Sequence, residues 1–127
     1  MGGCLEFVQH LCGTRHWQGL GGAILFLETS EERPNPEKVD GILMAYQNMN
    51  VFERIRGLLF GRPMCYEPEE REQPREVIME RARGYDFSVV ADMYFGDTSP
   101  MLTLPVGCRA VLDAGRDQFE IVEAGVP

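Results

Sequence analysis

The sequence predicts an α/β domain in which short buried strands alternate with helices and a closing hairpin adds antiparallel pairing to the sheet. Three observations carry this. Gly22-Ala23-Ile24-Leu25-Phe26-Leu27 is a short continuous apolar run, too short for a helix and suited to a strand buried on both faces. Val39, Ile42, Leu43 and Tyr46 recur at helical spacing. Residues 108 to 113 and 119 to 123 alternate on either side of Ala114-Gly115-Arg116-Asp117, a hairpin pattern. The 127 residues, 44% of them hydrophobic, are enough for one core and one domain.

The elements follow in order. Leu5, Val8, Leu11 and Cys12 share one helical face, and Gly13 is placed to end that helix, so residues 1–21 read as an N-terminal helix and linker ahead of a core over 22–127. The first strand ends at Glu28. In the polar loop that follows, Asn35 suits a helix cap and Pro36 the first helical position, and the Val39 stripe lies within the helix they start. Gly57 to Gly61 is a second buried strand. A Pro- and Glu-rich connection leads to a helix from about Pro74 to Arg83, and Phe87 to Ala91 is a third strand running into the loop Phe95-Gly96-Asp97-Thr98-Ser99-Pro100.

Charge and composition exclude several functions. A net charge of -8 repels phosphate backbones and anionic lipid head groups, and the basic residues, all arginine except Lys38, form no concentrated patch. The acidic stretch from Glu67 to Glu76 is interrupted by Arg71 and Arg75 and reads as a solvated connection. No apolar run approaches the roughly 20 residues needed to cross a bilayer, and the N-terminus lacks the order of a signal peptide, so the chain reads as cytoplasmic, with neither nucleic acid nor membrane as partner. Cys4, Cys12, Cys65 and Cys108 form no C-x-x-C pair, and His10 and His16 are not spaced with them as zinc ligands. The thiols are expected to be reduced and mostly packed, and both histidines to lie at the surface.

Chemistry read from pattern alone rests on two acids just past strand ends, Glu28 and Asp97, because ligands bind at the carboxyl ends of strands in open α/β sheets. Two convergent carboxylates suit acid/base work or, with Asp92, a divalent cation. The same residues equally suit an ordinary loop acid and a turn aspartate bonded to nearby amides.

Gly2-Gly3-Cys4-Leu5-Glu6, Gly13-Thr14, Ile24-Leu25-Phe26-Leu27-Glu28, Phe52-Glu53-Arg54-Ile55 with Gly57-Leu58, and Gly96-Asp97-Thr98 followed by Pro100-Met101-Leu102 and Pro105-Val106-Gly107 resemble, in order and spacing, the C-terminal domain of LD-carboxypeptidases, in particular the microcin C self-immunity branch. The resemblance implies a small three-layer β/β/α domain of the swivelling type. It also implies a two-domain serine peptidase with a Ser-Glu-His triad, its serine in an N-terminal domain absent from this sequence, no cofactor, a homodimeric assembly, and as substrate a cell-wall peptide or an aminoacyl-nucleotide amide. Carried over by position, the triad glutamate falls on Glu28 and the triad histidine on Asp97. Ser30, Ser88 and Ser99 lack the context of a nucleophile elbow. With an ordinary pKa near ~3.9 against ~6.5 for histidine, aspartate is a poor general base, so the expectation is a domain inactive by itself. The alternative is a non-catalytic homologue that binds a ligand or self-associates.

Overall fold

The computed structural model describes residues 1–17 and 19–126. Its chain order is β1 (Gly2–Cys4), α1 (Leu5–Val8) with a 3-10 turn at Gln9–Leu11, β2 (Ile24–Glu28), α2 (Pro36–Asn48), β3 (Gly57–Gly61), α3 (Glu72–Ala82), β4 (Ser88–Met93), β5 (Ala110–Asp113) and β6 (Gln118–Ile121). β1 to β4 form one sheet in sequence order, every pair parallel, and β5 and β6 form a separate antiparallel pair. The hairpin therefore does not extend the main sheet, as its sequence pattern suggested. It lies across it: a Cβ placed on Gly57 of β3 would stand 2.5 Å from Cδ2 of Leu112 in β5.

A parallel sheet that adds strands in one direction through right-handed crossovers places its helices on one face. The core shows the result. Leu25 and Leu27 of β2 and Leu58 and Phe60 of β3 pack with Val39, Ile42, Leu43 and Tyr46 of α2 and Ile78 of α3. The alternate residues Ile24, Phe26 and Leu59 point to the other face, where a cavity of about 540 Å³ separates them from Phe119 and Ile121 of the hairpin. The layers are hairpin, sheet and helices, which is the β/β/α arrangement. Among the described residues, β3 alone of the strands is buried along its whole length; in β2, Ile24 and Phe26 are half-buried, because the hairpin covers the second face loosely.

α2 forms as its sequence directs. The Asn35 side chain accepts a 2.9 Å hydrogen bond from the Lys38 amide, and Pro36 opens the helix where no intrahelical donor is needed. Past its end, Asn50 takes a left-handed conformation (φ 55°) and the Val51 amide returns to the Tyr46 carbonyl at 3.0 Å. α3 starts two residues before its expected Pro74, since proline in a first turn costs no hydrogen bond. α2 and α3 are joined by a fork in which Arg81 Nε and Nη2 reach the two oxygens of Asp40 at 2.5 and 2.6 Å, while Nη1 donates to Gln47 at 2.8 Å.

The N-terminal region differs most from expectation. Instead of one helix over Leu5 to Cys12, a three-residue strand precedes a single α turn and a 3-10 turn. Gly2 permits this strand: a Cβ there would lie 1.7 Å from the Phe26 carbonyl oxygen, so only glycine lets β1 approach β2. His10 and His16 are exposed, and the four cysteines are free, with Cys4, Cys12 and Cys108 half-buried and Cys65 exposed. No helix among the described residues is long and apolar enough to cross a membrane.

Candidate functional site

The four parallel strands end along one edge, and that edge collects carboxylates. Glu28 is the last residue of β2, on the same face as Ile24 and Phe26. The loop after β4 folds back above it, held by an edge-on contact of Phe26 with Phe95 at 5.8 Å. The backbone N–H of Asp97 then donates to Glu28 Oε2 at 3.2 Å. Gly96 makes the approach possible. It adopts φ 86°, and a Cβ on it would fall 1.6 Å from the same Oε2. The two residues singled out in the sequence are thus neighbours, with the Asp97 side chain exposed and Glu28 half-buried beneath it.

Burial pushes the Glu28 carboxyl above its ordinary pKa, the Asp97 carboxylate adds to the rise, and Glu6 contributes a smaller push in the same direction. The Asp97 N–H works the other way by stabilising the carboxylate. The corner is therefore a place where negative charge is crowded and a cation or a proton is welcome.

Glu6 entered the sequence reading only as the end of a family block and was given no role there. It directly follows Leu5 at the start of α1 and is only 6% exposed, an unusual position for a carboxylate. Ser30 compensates it: the Ser30 hydroxyl donates to Glu6 Oε1, and the Ser30 amide lies 3.3 Å from the same oxygen. The Cys4 thiol adds a contact to Oε2 at 3.4 Å. This ties the segment just past Glu28 to the end of β1. No periodicity or motif marks such a pair, because its members are 24 residues apart and meet only through the β1–β2 pairing.

Asp92 does not join Glu28 and Asp97. It sits at a register shift between β3 and β4 in a left-handed conformation (φ 58°) and faces Arg75 at 3.8 Å. Among the described residues no group of three or more His, Cys, Asp or Glu side chains is disposed to hold a metal ion. Ser30 serves Glu6, Ser88 lies within β4, and Ser99 is exposed in the loop after Asp97.

The chain is thus a β/β/α domain: a one-sided parallel sheet backed by a hairpin, with an acid at the end of β2 under a Gly-Asp-Thr loop. The chain belongs to the family of LD-carboxypeptidase C-terminal domains, whose profile matches residues 1–112. Over 115 residues, 90% of its length, it is 33% identical to a protein of Streptomyces coelicolor classed by inference as a carboxypeptidase. It is 27% identical over 105 residues, 82% of its length, to the microcin C7 self-immunity protein MccF of Escherichia coli. The chain spans about a third of these relatives, 36% and 30% of their lengths. Among solved structures it is similar to an MccF-like protein from Streptococcus pneumoniae in complex with AMP (27% identity, TM-score 0.78, 97% of this chain and 40% of that one). At 24% identity, wild-type MccF in the apo state shares the fold with a TM-score of 0.87, over all of this chain and 38% of that one.

Proposed function

We propose that this chain forms the acid-bearing half of a serine-type amide hydrolase site of the LD-carboxypeptidase and microcin C immunity kind, with Asp97 where the triad histidine would stand, and that it is inactive by itself. The observation that carries the reading is the contact of the Asp97 backbone with the Glu28 carboxylate across the end of the parallel sheet. In a working triad the acid orients an imidazole and stabilises it once it has taken the nucleophile's proton. Glu28 has the position and the half-buried setting for that task. Asp97 offers it a second carboxylate instead, which raises the Glu28 pKa and supplies no group that becomes cationic on accepting a proton.

The nucleophile and the remaining walls of the site belong, in this reading, to an N-terminal domain. The substrate would be an amide: a peptide, in keeping with the carboxypeptidase-like relative, or an aminoacyl nucleotide, in keeping with the self-immunity relative and the AMP-bound neighbour. Without turnover, the same corner serves as a ligand-binding module.

The test grafts residues 1–127 in place of the corresponding domain of the MccF-like protein and measures hydrolysis of an aminoacyl-nucleotide amide and of a peptide. No turnover is expected with Asp97, turnover with Asp97→His, and loss of it again when Glu28→Gln is added. Equal turnover with Asp97 and with histidine at that position would sink the proposal.

A further inference from the structure

A second cleft, of about 500 Å³, opens at the C-terminal ends of β3 and β4. Its lining includes Arg62, just past β3, Arg71 and Glu72 at the start of α3, Asp92 of β4, and Thr98 and Ser99, the two residues after Asp97. The lining carries two arginines and two acids, but they are not paired with each other. Arg75 takes up both acids, at 2.9 Å from Glu72 and 3.8 Å from Asp92. Arg62 and Arg71 have no carboxylate partner among the described residues.

Both free guanidinium groups are anchored. That of Arg62 lies 4.1 Å from the centre of the Tyr94 ring, a cation–π contact that fixes its plane. Arg71 donates through Nε to the Tyr66 carbonyl at 3.4 Å, which leaves its two terminal nitrogens unengaged by that bond. Thr98 is 8% exposed, so the wall includes a largely buried residue carrying a hydroxyl donor. The N-terminal end of α3 opens on the same space and adds the positive end of its dipole. With Glu72 and Asp92 paired to Arg75, the cleft presents two planar forked donors that no carboxylate among the described residues occupies.

We propose that the cleft binds the oxyanion end of a small ligand, a carboxylate or a phosphate monoester, with Arg62 and Arg71 as the donors and Thr98 beside them. Guanidinium groups match the two-oxygen geometry of both anions. The cleft shares a loop with the Glu28–Asp97 corner, yet binding there requires neither a serine nor a histidine. Failure of one reading therefore leaves the other standing.

The experiment is a titration of the 127-residue chain at low salt, followed by amide NMR shifts, with four probes: N-acetyl-alanyl-alanine, its C-terminal amide, AMP and adenosine. At least one anionic probe is expected to bind about tenfold more tightly than its neutral counterpart and to move the Thr98 and Ser99 amides. The arm that responds, peptide or nucleotide, identifies the source of the anion. Arg62→Gln with Arg71→Gln should weaken that binding about tenfold, while Arg54→Gln with Arg56→Gln, an equal charge loss just before β3, should leave it within about twofold. Equal affinity for charged and neutral probes, equal weakening by both pairs of substitutions, or no binding below about 10 mM overturns the proposal.

Discussion

The Asp97 amide donates to Glu28 Oε2 at 3.2 Å, a bond that spans 69 positions of the chain and sets a loop aspartate above a half-buried glutamate. The amide stabilises the Glu28 carboxylate while the Asp97 side chain, on the same residue, opposes it. Several measurable properties follow from that opposition and from the packing around it.

Glu28→Gln should stabilise the fold at neutral pH. A carboxyl whose folded pKa is raised contributes stability below its unfolded pKa and loses it as the pH rises through the folded value. Wild type and variant should match in acid and diverge as the pH climbs past the ordinary glutamate range. With Glu28 half-exposed, the gain after solvent screening is on the order of 0.5 kcal/mol. Urea unfolding at a series of pH values checks it, and a variant less stable at pH 7 than at pH 4, relative to wild type, contradicts the assignment.

Asp97→Asn should lower the Glu28 pKa, because it removes the neighbouring charge and keeps the backbone donor. The carboxyl carbon of Glu28 followed by NMR through an acid titration reports this directly. An unmoved midpoint would mean that the Asp97 carboxylate is not felt at Glu28.

Gly96→Ala should cost on the order of 2 kcal/mol, since the residue has φ 86° and the added methyl carbon would fall 1.6 Å from Glu28 Oε2. In a Glu28→Ala background the collision with the carboxyl group disappears, leaving the backbone strain and a 3.1 Å contact with the Cβ at position 28. A double-mutant cycle by denaturant unfolding should therefore show a smaller cost for Gly96→Ala in that background. Equal costs would place the collision elsewhere.

Arg81→Lys should remove the fork to Asp40 and Gln47 and destabilise the α2–α3 contact by about 0.5–1 kcal/mol. The hydrogen bonds from Arg81 hold the Asp40 carboxyl below its ordinary pKa. Such a group gives stability above the unfolded carboxylate pKa that is lost as the pH falls through the folded value. The stability difference between wild type and variant should thus shrink in acid to the part owed to the Gln47 bond, and a difference undiminished below about pH 2 would rule out the ion pair as its main source.

Legibility in the sequence varied with the range of the interaction. The Asn35 cap, Pro36 and the stripe through Tyr46 act within one helix, and α2 formed where they placed it. β1 was invisible, because Gly2-Gly3-Cys4 has no alternation and becomes a strand only by pairing with Phe26 to Glu28. The role of Glu6 was unreadable for a similar reason: its burial depends on the Ser30 hydroxyl and amide supplied by another segment. Asp92 looked available for a shared carboxylate site, yet the register shift between β3 and β4 accompanies a placement facing Arg75.

By itself the sequence determined the α/β class, the helix and hairpin signals, the family blocks, and the identities of the acids at positions 28 and 97. These are local properties, set by side-chain period, caps and turn residues within a few positions of one another. Only the tertiary structure decided that the hairpin makes a sheet of its own, that Glu28 lies under Gly96, that Ser30 compensates Glu6, and that Arg62 and Arg71 share a cleft. Each of these depends on strand register and crossover direction, which bring distant segments together through backbone pairing that leaves no pattern in either segment alone.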